Sequence, residues 1–281
     1  MPRRNIFQRK PRSKYMRSET VTKDKILLFI PAYNCEKQIV RVLSQLNWEV
    51  MSYISEVIVV NNRSTDNTEE AVISFIEEHP NMPVKLLRNL DNYGLGGSHK
   101  VAFEYAIKNE FDYVIVLHGD DQGAIKDFVP VLAQRYYVKH DCILGARFML
   151  GSRLEGYSTF RTFGNIVYDF LFAFVLKRRI YDLGSGLNMY SVKMLKDRFF
   201  EKFADNLMFN CCMLFAAKYY NHDIKFFPIS WREDDQVSNV KMVSQSMKTL
   251  KMLWNFYVDN ESIKSEYREK QIIGYGAEII K

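Results

Sequence analysis

Four polar segments of the sequence each follow a short apolar run, and they hold the side chains whose types and spacing suit chemistry. In chain order they are residues 31–36, 61–68, 92–97 and 118–122. The apolar runs that precede them predict buried β-strands. Because ligands of an open parallel sheet bind beyond the carboxyl ends of its strands, we expect the four segments to form one site at a single rim.

The last of these segments, His118-Gly-Asp-Asp-Gln122, carries the most specific chemistry. Its carboxylates come directly after a predicted buried strand, where they are desolvated on one side and costly unless a cation balances them. A hard divalent ion is often held by one or two carboxylates and by phosphate oxygens of a substrate. The segment therefore predicts a metal-assisted phosphate site.

The second and third segments also have simpler structural interpretations. Ser64, Thr65 and Asp66 could do no more than cap the helix that follows them. Gly94 and Gly96 could form only a turn, and they do not make the G-x-G-x-x-G fingerprint that follows the first strand of a dinucleotide-binding fold. For both segments, a binding role and a purely structural role remain alternatives at this point.

The elements that must position these segments alternate between strands and helices in the first half of the chain. The predicted strands are residues 25–30, 57–60, 84–87, 113–117 and 142–144, and the predicted helices are residues 36–46, 69–78, 128–136 and a helix that opens at residues 94–97. This alternation predicts an α/β fold with a doubly wound, mostly parallel sheet.

The second half of the chain does not follow this alternation of strands and helices. Helices are expected at residues 165–177, 206–219 and 244–257, a strand at residues 224–229, and a short Gly-punctuated element at residues 185–190. No Pro-, Gly- or Ser-rich linker separates the halves. We therefore expect one continuous domain over residues 24–258, with a nucleotide half at about 24–122 and an acceptor half at about 123–258. A disordered basic tail (1–23) and a C-terminal tail (259–281) would flank it.

The charge is concentrated at one end of the 281-residue chain. The formal net charge is +6, but residues 1–18 hold seven Arg and Lys residues and no acid, so the remainder is close to neutral. A body without a basic excess argues against nucleic-acid binding, whereas the tail suits an anionic membrane surface. No apolar secretory segment follows the tail, and the longest strongly apolar stretch, residues 170–176, is too short to span a bilayer. We expect a cytoplasmic protein that can rest on a membrane surface.

The four cysteines form no C-x-x-C pair and predict buried thiols in a reducing compartment.

Taken together, the motifs resemble those of family 2 glycosyltransferases of the GT-A fold, in the branch of the dolichyl- and polyprenyl-phosphate sugar synthases. The resemblance covers about residues 25–251. It rests on Pro-Ala-Tyr-Asn at 31–34, Val-Val-Asn-Asn-x-Ser-Thr-Asp-x-Thr at 59–68, Asn-x-Gly-Leu-Gly at 92–96, the segment 118–122, Gly-Ala-Arg-Phe at 145–148, Arg161, Ser-Gly-x-x-x-Tyr at 185–190 and Trp-Arg at 231–232. It implies an enzyme that transfers a sugar, with inversion, from a UDP- or GDP-sugar to a lipid-phosphate or glycan acceptor in cell-envelope or surface-polysaccharide assembly.

The resemblance also implies roles for individual residues. Metal ligands for Mn²⁺ or Mg²⁺ would be His118, Asp120 and Gln122. Residues on the nucleotide-sugar would be Pro31, Tyr33, Glu36, Asn61, Asp66, Gly94, Gly96 and Arg232, the last with help from Lys241. Residues on the acceptor phosphate would be Arg147 and Arg161. The sequence departs from the family twice, because His118 replaces the first acid of the metal motif and Asn61 replaces an aspartate that contacts the nucleotide.

A catalytic base is required only by some acceptors. A phosphate monoester is already ionised at neutral pH and needs no base, whereas a sugar hydroxyl needs a carboxylate, for which Asp182 and the acidic run that begins at Glu233 are candidates besides Asp120. A sugar-nucleotide-binding pseudoenzyme is an alternative, motivated by His118 and Asn61. A nucleotidyltransferase is less favoured, because residues 31–36 lack the Gly-rich basic loop of that class.

Overall fold

The computed structural model describes residues 23–233, 242–270, 272 and 274–281. The strands in this part of the chain are β1 (Ile26–Ala32), β2 (Glu56–Asn61), β3 (Val84–Asn89), β4 (Tyr113–Leu117), β5 (Cys142–Ala146), β6 (Arg153–Glu155), β7 (Leu187–Ser191), β8 (Ile224–Pro228), β9 (Ser230–Arg232) and β10 (Ala277–Ile279). The α-helices are α1 (Glu36–Ser44), α2 (Trp48–Met51), α3 (Thr68–Glu78), α4 (Gly94–Lys108), α5 (Val129–Ala133), α6 (Thr159–Leu176), α7 (Val192–Leu195), α8 (Phe209–Tyr219) and α9 (Met242–Val258).

Eight strands form one sheet in the order β10-β3-β2-β1-β4-β7-β5-β8. Strands β3, β2, β1 and β4 are parallel neighbours, and β5 is parallel to β8, whereas β7 runs antiparallel to both β4 and β5. The predicted α/β class with a doubly wound, mostly parallel sheet is therefore confirmed. The reversed strand β7 (Leu187–Ser191) overlaps residues 185–190, where the sequence indicated only a short Gly-punctuated element.

Strand β1 is apolar at every position because helices cover both faces of the sheet. In β1 all seven residues are buried, and their side chains alternate between two cores. Leu27 and Phe29 join the larger core, to which α4, α6 and α8 contribute. Leu28 and Ile30 join the second core, which α1 and α3 cover. The alternation fixes the register of β1, so that its carboxyl end brings residues 31–36 to the rim.

Helix α6 is longer than its sequence pattern indicated. It starts at Thr159, six residues before the predicted start, where the Ser158 hydroxyl accepts a hydrogen bond from the Arg161 amide. Within the described residues α6 is the single helix whose length and composition would suffice to cross a membrane. The sequence pattern indicated no apolar stretch longer than residues 170–176. Arg161 and Asp169 interrupt the apolar run in the sequence, but they do not end the helix.

The segment after α9 adds a strand that the sequence pattern did not indicate. Strand β10 pairs antiparallel with β3, the Leu86 amide donates to the Lys281 carbonyl (3.0 Å), and Arg88 pairs with Glu278. Three residues are too short to show strand periodicity, so this part of the expected C-terminal tail could not be assigned from the sequence. Most of the expected basic tail, residues 1–22, lies outside the described residues.

All four cysteines, Cys35, Cys142, Cys211 and Cys212, are buried free thiols, as predicted. Burial raises the pKa of each thiol, in Cys35 to about 12.

Candidate active site

The segments after β1 and β2 are joined at the rim by hydrogen bonds. The Asn34 amide donates to the Ser64 hydroxyl (3.0 Å), the Thr65 amide donates to Asn34 Oδ1 (2.8 Å), and the Glu36 amide donates to Asp66 Oδ2 (3.1 Å). The other oxygen of Asp66 accepts from the amide of the first residue of α3 (3.1 Å). Asp66 therefore both caps α3 and links the two loops, so its structural role is present whatever it binds.

Asn61, which the resemblance placed on the nucleotide, has its side chain engaged within the protein. Its Nδ2 donates to Glu69 Oε2 (2.7 Å), and its Oδ1 accepts from the Ser64 amide (2.9 Å). The residue is only 2% exposed. Both ends of the amide thus have a partner within the protein, and the contact of Asn61 with the nucleotide stays a prediction.

A polar cleft opens beside these loops. Its volume is about 530 Å³, which is within the usual range for small-molecule sites. It is lined by Asn61, Arg63, Ser64, Thr65, Asp66, Glu69, Glu70 and Arg88.

Gly94 and Gly96 serve the packing of α4 against the segment at residues 204–205. A Cβ on Gly96 would lie 2.2 Å from the Ala204 carbonyl oxygen, and Gly94 has a left-handed φ of +72°. The Gly96 amide donates to the Asp205 carbonyl (2.7 Å). Gly96 therefore makes a close backbone contact with this segment, and the place of Gly94 and Gly96 on the nucleotide-sugar stays a prediction.

The segment after β4 places His118 and Asp120 face to face. His118 Nδ1 lies 4.0 Å from Asp120 Oδ2, and Asp120 Oδ1 accepts from the Gln122 amide (3.2 Å). A Cβ on Gly186 would lie 2.7 Å from the His118 ring, so this glycine makes room for the imidazole. Burial lowers the pKa of His118 to about 4 and raises the pKa of Asp120 to about 6.

These properties can be compared with the requirements of a divalent ion. In the described part of the chain no group of three or more His, Cys, Asp and Glu side chains could hold a metal. His118 is nevertheless neutral at pH 7, with a lone pair to offer, and the partly exposed Asp120 carboxylate lies beside it. With the amide oxygen of Gln122 and substrate phosphate oxygens, this donor set fits a divalent ion, and its imidazole suits Mn²⁺ better than Mg²⁺.

Asp121, which the sequence motifs left without a role, organises the opposite side of this segment. Its φ of +60° turns it away from Asp120, and its side chain is only 1% exposed. It accepts hydrogen bonds from Arg41 Nε (2.6 Å), Gln45 Nε2 (3.1 Å) and the Arg232 guanidinium. Arg232 also donates to the Asp121 carbonyl (3.0 Å), so this arginine lies against the segment at residues 118–122.

Arg147 and Asp182 form a two-point ion pair. Arg147 Nε and Nη2 each donate to a different Asp182 oxygen at 2.7 Å, and the Arg147 and Gly184 amides donate to the same carboxylate at 2.9 and 3.0 Å. The Asp182 side chain is 1% exposed. These four donors hold the carboxylate in place, and the role of Asp182 as a catalytic base stays a prediction.

Arg161 is paired with Glu233, the other candidate base. Its Nη1 lies 2.5 Å from Glu233 Oε2, and the Glu233 amide is held by the Glu155 carbonyl (3.0 Å). The guanidinium of Arg161 lies 4.6 Å from the centre of the Tyr157 ring, and that of Arg147 lies 5.9 Å from the same ring. The structure thus brings together the two arginines that the sequence predicted to act on one phosphate. The rest of the acidic run, Asp234 and Asp235, and Lys241 lie outside the described residues.

Asp169 on α6 is a titratable residue of this region that sequence reasoning missed. It is 6% exposed, and its Oδ1 has no hydrogen-bond partner. Burial raises its pKa to about 8, and the nearby Asp182 adds to the shift while Arg147 opposes it. An acid within an otherwise apolar helix was the available sequence signal.

Comparisons with known proteins agree with this architecture. An uncharacterized protein of Methanocaldococcus jannaschii is 25% identical over 209 residues, which are 74% of this chain and 82% of that protein. The dolichyl-phosphate beta-glucosyltransferase ALG5A of Trichomonas vaginalis is 25% identical over 222 residues, 74% of this chain and 66% of that protein.

Solved structures share the fold at low sequence identity. Glucosyl-3-phosphoglycerate synthase from Mycobacterium tuberculosis in complex with UDP has a TM-score of 0.59 and 16% identity, over 84% of this chain and 80% of that one. The complex of that synthase with Mn²⁺, UDP and product has a TM-score of 0.54 and 15% identity, over 91% and 87%. S. aureus TarS 1–349 with UDP-GlcNAc has a TM-score of 0.53 and 19% identity, over 86% and 71%.

The sequence also matches the family model described as glycosyl transferase family 2 over residues 28–199. Because this match spans more than half of the chain, the protein is a member of glycosyl transferase family 2 with a GT-A-type fold.

Proposed function

We propose that this enzyme transfers a sugar, with inversion, from a UDP-sugar to the phosphate of a lipid acceptor used in surface-glycan assembly. The observation that carries the proposal is the pair of guanidinium groups, Arg147 and Arg161, on the single ring of Tyr157. Arginine binds phosphate through a planar fork of donors, so two arginines on one ring suit one phosphate group. The dolichyl-phosphate glucosyltransferase among the relatives supports a lipid phosphate over a neutral glycan.

The donor would bind on the nucleotide half, about residues 24–122, and the acceptor on the following half. The UDP complexes of the structural neighbours favour UDP over GDP. The cleft beside Asp66 has room for a nucleoside, and the exposed ring of Tyr33 at the same rim could contact it. The backbone of Pro31 and Glu36 shapes the entrance to this part of the site.

His118, Asp120 and Gln122 would hold a divalent ion, Mn²⁺ in preference to Mg²⁺. When bound, that ion supplies positive charge for the departing diphosphate. Arg232 lies against the same segment, held by Asp121, and adds a fixed positive charge on the donor side. Charge placed in advance where the leaving group develops its own is usually a large catalytic term.

The acceptor side requires no catalytic base under this proposal. A phosphate monoester is ionised at neutral pH and attacks through an oxygen that carries no proton. This is consistent with Asp182, whose oxygens are occupied by four donors. An entering phosphate would compete with the Glu233 carboxylate for Arg161. Under this proposal Glu233 pairs with Arg161 until the acceptor binds, and it does not act as the catalytic base.

Transfer of a radiolabelled sugar from a UDP-sugar tests the proposal directly. The acceptors to compare are a polyprenyl phosphate, the same polyprenol without phosphate, and a neutral glycan, each with Mn²⁺ present. We expect transfer to the phosphorylated lipid only. Transfer to the neutral glycan would move the activity to a hydroxyl acceptor with Glu233 as base. Tight nucleotide-sugar binding with no transfer or hydrolysis would favour the pseudoenzyme.

A further inference from the structure

Helix α6 carries a row of exposed phenylalanines along one side. Phe163 and Phe170 expose 68% and 71% of their surface. The row comprises Phe160, Phe163, Val167, Phe170 and Phe174, which recur every three or four residues and therefore share one helix face. The opposite face of α6 packs into the protein, where the Phe172 ring stacks on Phe215 at 5.1 Å.

Helix α9 extends this surface with aromatic residues of a different type. Trp254 and Tyr257 are 65% and 56% exposed, and their rings are 5.9 Å apart. The Tyr257 ring lies 6.5 Å from that of Phe174, so the exposed sides of the two helices are continuous. We call this surface the α6–α9 face, formed by the α6 row together with Trp254 and Tyr257. Among the described residues nothing covers it.

Basic residues outnumber acids in and beside the helices of the α6–α9 face, although Arg161 and Lys248 are paired with Glu233 and Glu269 and Asp259 directly follows α9. Helices α6 and α9 contain a single acid, Asp169, and it is buried. The basic residues of the two helices and of the turn after α6 are Arg161, Lys177, Arg178, Arg179, Lys248 and Lys251. An apolar surface bordered by cations, with Trp and Tyr at its edge, matches the headgroup region of an anionic bilayer and not a second acidic or neutral protein surface.

We propose that the α6–α9 face lies flat in the interfacial region of an anionic membrane. A spanning orientation of α6 is excluded by its packing, because Phe172 and Leu176 belong to the core and Asp169 faces inward. The inference rests on the proposed lipid-phosphate acceptor in one respect. The first turn of α6 carries Arg161, so a membrane on this face would bring the headgroup of a lipid phosphate to the acceptor arginines while its chains stay in the bilayer.

Vesicle sedimentation with the full chain tests this placement. Wild type and Phe163→Ser/Phe170→Ser are compared on vesicles of phosphatidylcholine mixed with phosphatidylglycerol and on phosphatidylcholine alone. Because each withdrawn Phe loses apolar burial in the bilayer, we expect the double variant to bind the mixed vesicles about tenfold more weakly or worse. Trp48→Ser is the matched control, since Trp48 is 85% exposed on a different helix, and its binding should equal that of wild type.

The other outcomes identify the alternatives. Equal binding by wild type and the double variant, or no vesicle binding by wild type, overturns the proposal. A wild-type dimer in light scattering that becomes a monomer in the double variant would assign the face to a second copy. A clear fall in the melting temperature of the double variant would mean that another segment of the chain covers the face.

Transfer to a short-chain, water-soluble phosphate ester separates this proposal from the proposed function. The double variant should transfer to that ester as fast as wild type. If neither protein transfers to any phosphate but wild type alone binds vesicles, the proposed function fails while the membrane placement stands.

Discussion

Arg147 and Asp182 hold each other through two parallel 2.7 Å hydrogen bonds, with a third from the Arg147 backbone amide. The Arg147 guanidinium is also 5.0 Å from the centre of the Trp231 ring. Asp182 therefore fixes the orientation of Arg147, the arginine that we propose binds the acceptor phosphate. The sequence analysis identified both residues but predicted different roles for them, with Arg147 on the acceptor phosphate and Asp182 as a candidate base.

The Asp182→Asn variant should lose stability. The change would leave the largely buried Arg147 cation without its counterion, and breaking a buried pair in this way costs about 3 kcal/mol or more. Urea unfolding measures the loss. Glu104→Gln is the control, because it removes the partner of Arg198 in an exposed ion pair and should change stability little. Lost transfer with unchanged stability in Asp182→Asn would restore Asp182 as a base.

The Arg161→Ala variant should be impaired toward the acceptor and not toward the donor. Loss of one charge-assisted contact corresponds to about 10- to 150-fold in acceptor use. Arg161→Lys should recover only part of this, since lysine offers a point charge and not a fork. Separate donor and acceptor titrations make the distinction, with Arg198→Ala as an arginine control far from the site. An equal loss in donor affinity would contradict the acceptor assignment.

Metal use should depend on Asp120 and be tuned by His118. Asp120→Asn should weaken Mn²⁺ binding and abolish transfer without unfolding the protein, because the side chain lies at the rim and not in either core. His118→Asp should keep activity and shift the preference toward Mg²⁺, which favours oxygen ligands. Electron paramagnetic resonance of free Mn²⁺ gives the affinity independently of turnover. Asp91→Asn, an exposed acid in another rim loop, should bind Mn²⁺ like wild type, and full activity of Asp120→Asn with a chelator would remove the metal from the mechanism.

Asp169 should make the protein less stable as the pH rises. Its folded-state pKa is about 8 and its ordinary value is 3.8, so between these values the folded state binds a proton that the unfolded state lacks. Its contribution is complete below pH 3.8 and is lost as the pH rises toward 8, at about 1.4 kcal/mol per pH unit or less. Asp169→Asn should therefore be more stable than wild type at pH 8 and similar to it at pH 4. Parallel stability curves for the two proteins across this range, at equal denaturant m-values, would contradict the assignment.

Two glycine-to-alanine changes should have opposite effects. In Gly96→Ala the new Cβ would lie 2.2 Å from the Ala204 carbonyl, so α4 or the facing segment must move, and we expect severe destabilisation. In Gly164→Ala the Cβ would meet nothing within 4 Å inside α6, and the protein should gain about 0.5–1 kcal/mol. Thermal unfolding measures both. A stable Gly96→Ala that fails to bind nucleotide would return Gly96 to the donor site.

Strands that are buried on both faces could be predicted from the sequence, because a continuous apolar run reports burial directly. The predicted strand 113–117 coincides with β4, and the predictions for β1, β2 and β3 differ from the structure only at their ends. Strands β6, β9 and β10 have three residues each and show no period. The direction of β7 could not be predicted, since an apolar run is the same in either orientation.

The site was predictable where a residue's position after a strand determines its place in the fold. This applies to His118 and Asp120, which follow β4, and to Arg232, which lies against the same segment. The pairing of Arg147 with Asp182 was not predictable, because the partners are far apart in sequence and meet only through the sheet. Asp121 was missed for a related reason, since its left-handed backbone sends it in the opposite direction from the neighbouring Asp120.

The buried cysteines can be used to measure local opening of the structure. Their raised pKa values and lack of exposure mean that a thiol reagent can react only after the surrounding structure opens, so alkylation rates measure the free energy of that opening. Cys211 and Cys212 lie in α8 within the larger core, whereas Cys35 Sγ would lie 3.4 Å from a Cβ on Gly119, in the segment at residues 118–122. Fast labelling of Cys35 alone would indicate that the rim loops open locally. A donor sugar nucleotide that closes these loops would slow the labelling of Cys35 without changing that of Cys211 and Cys212.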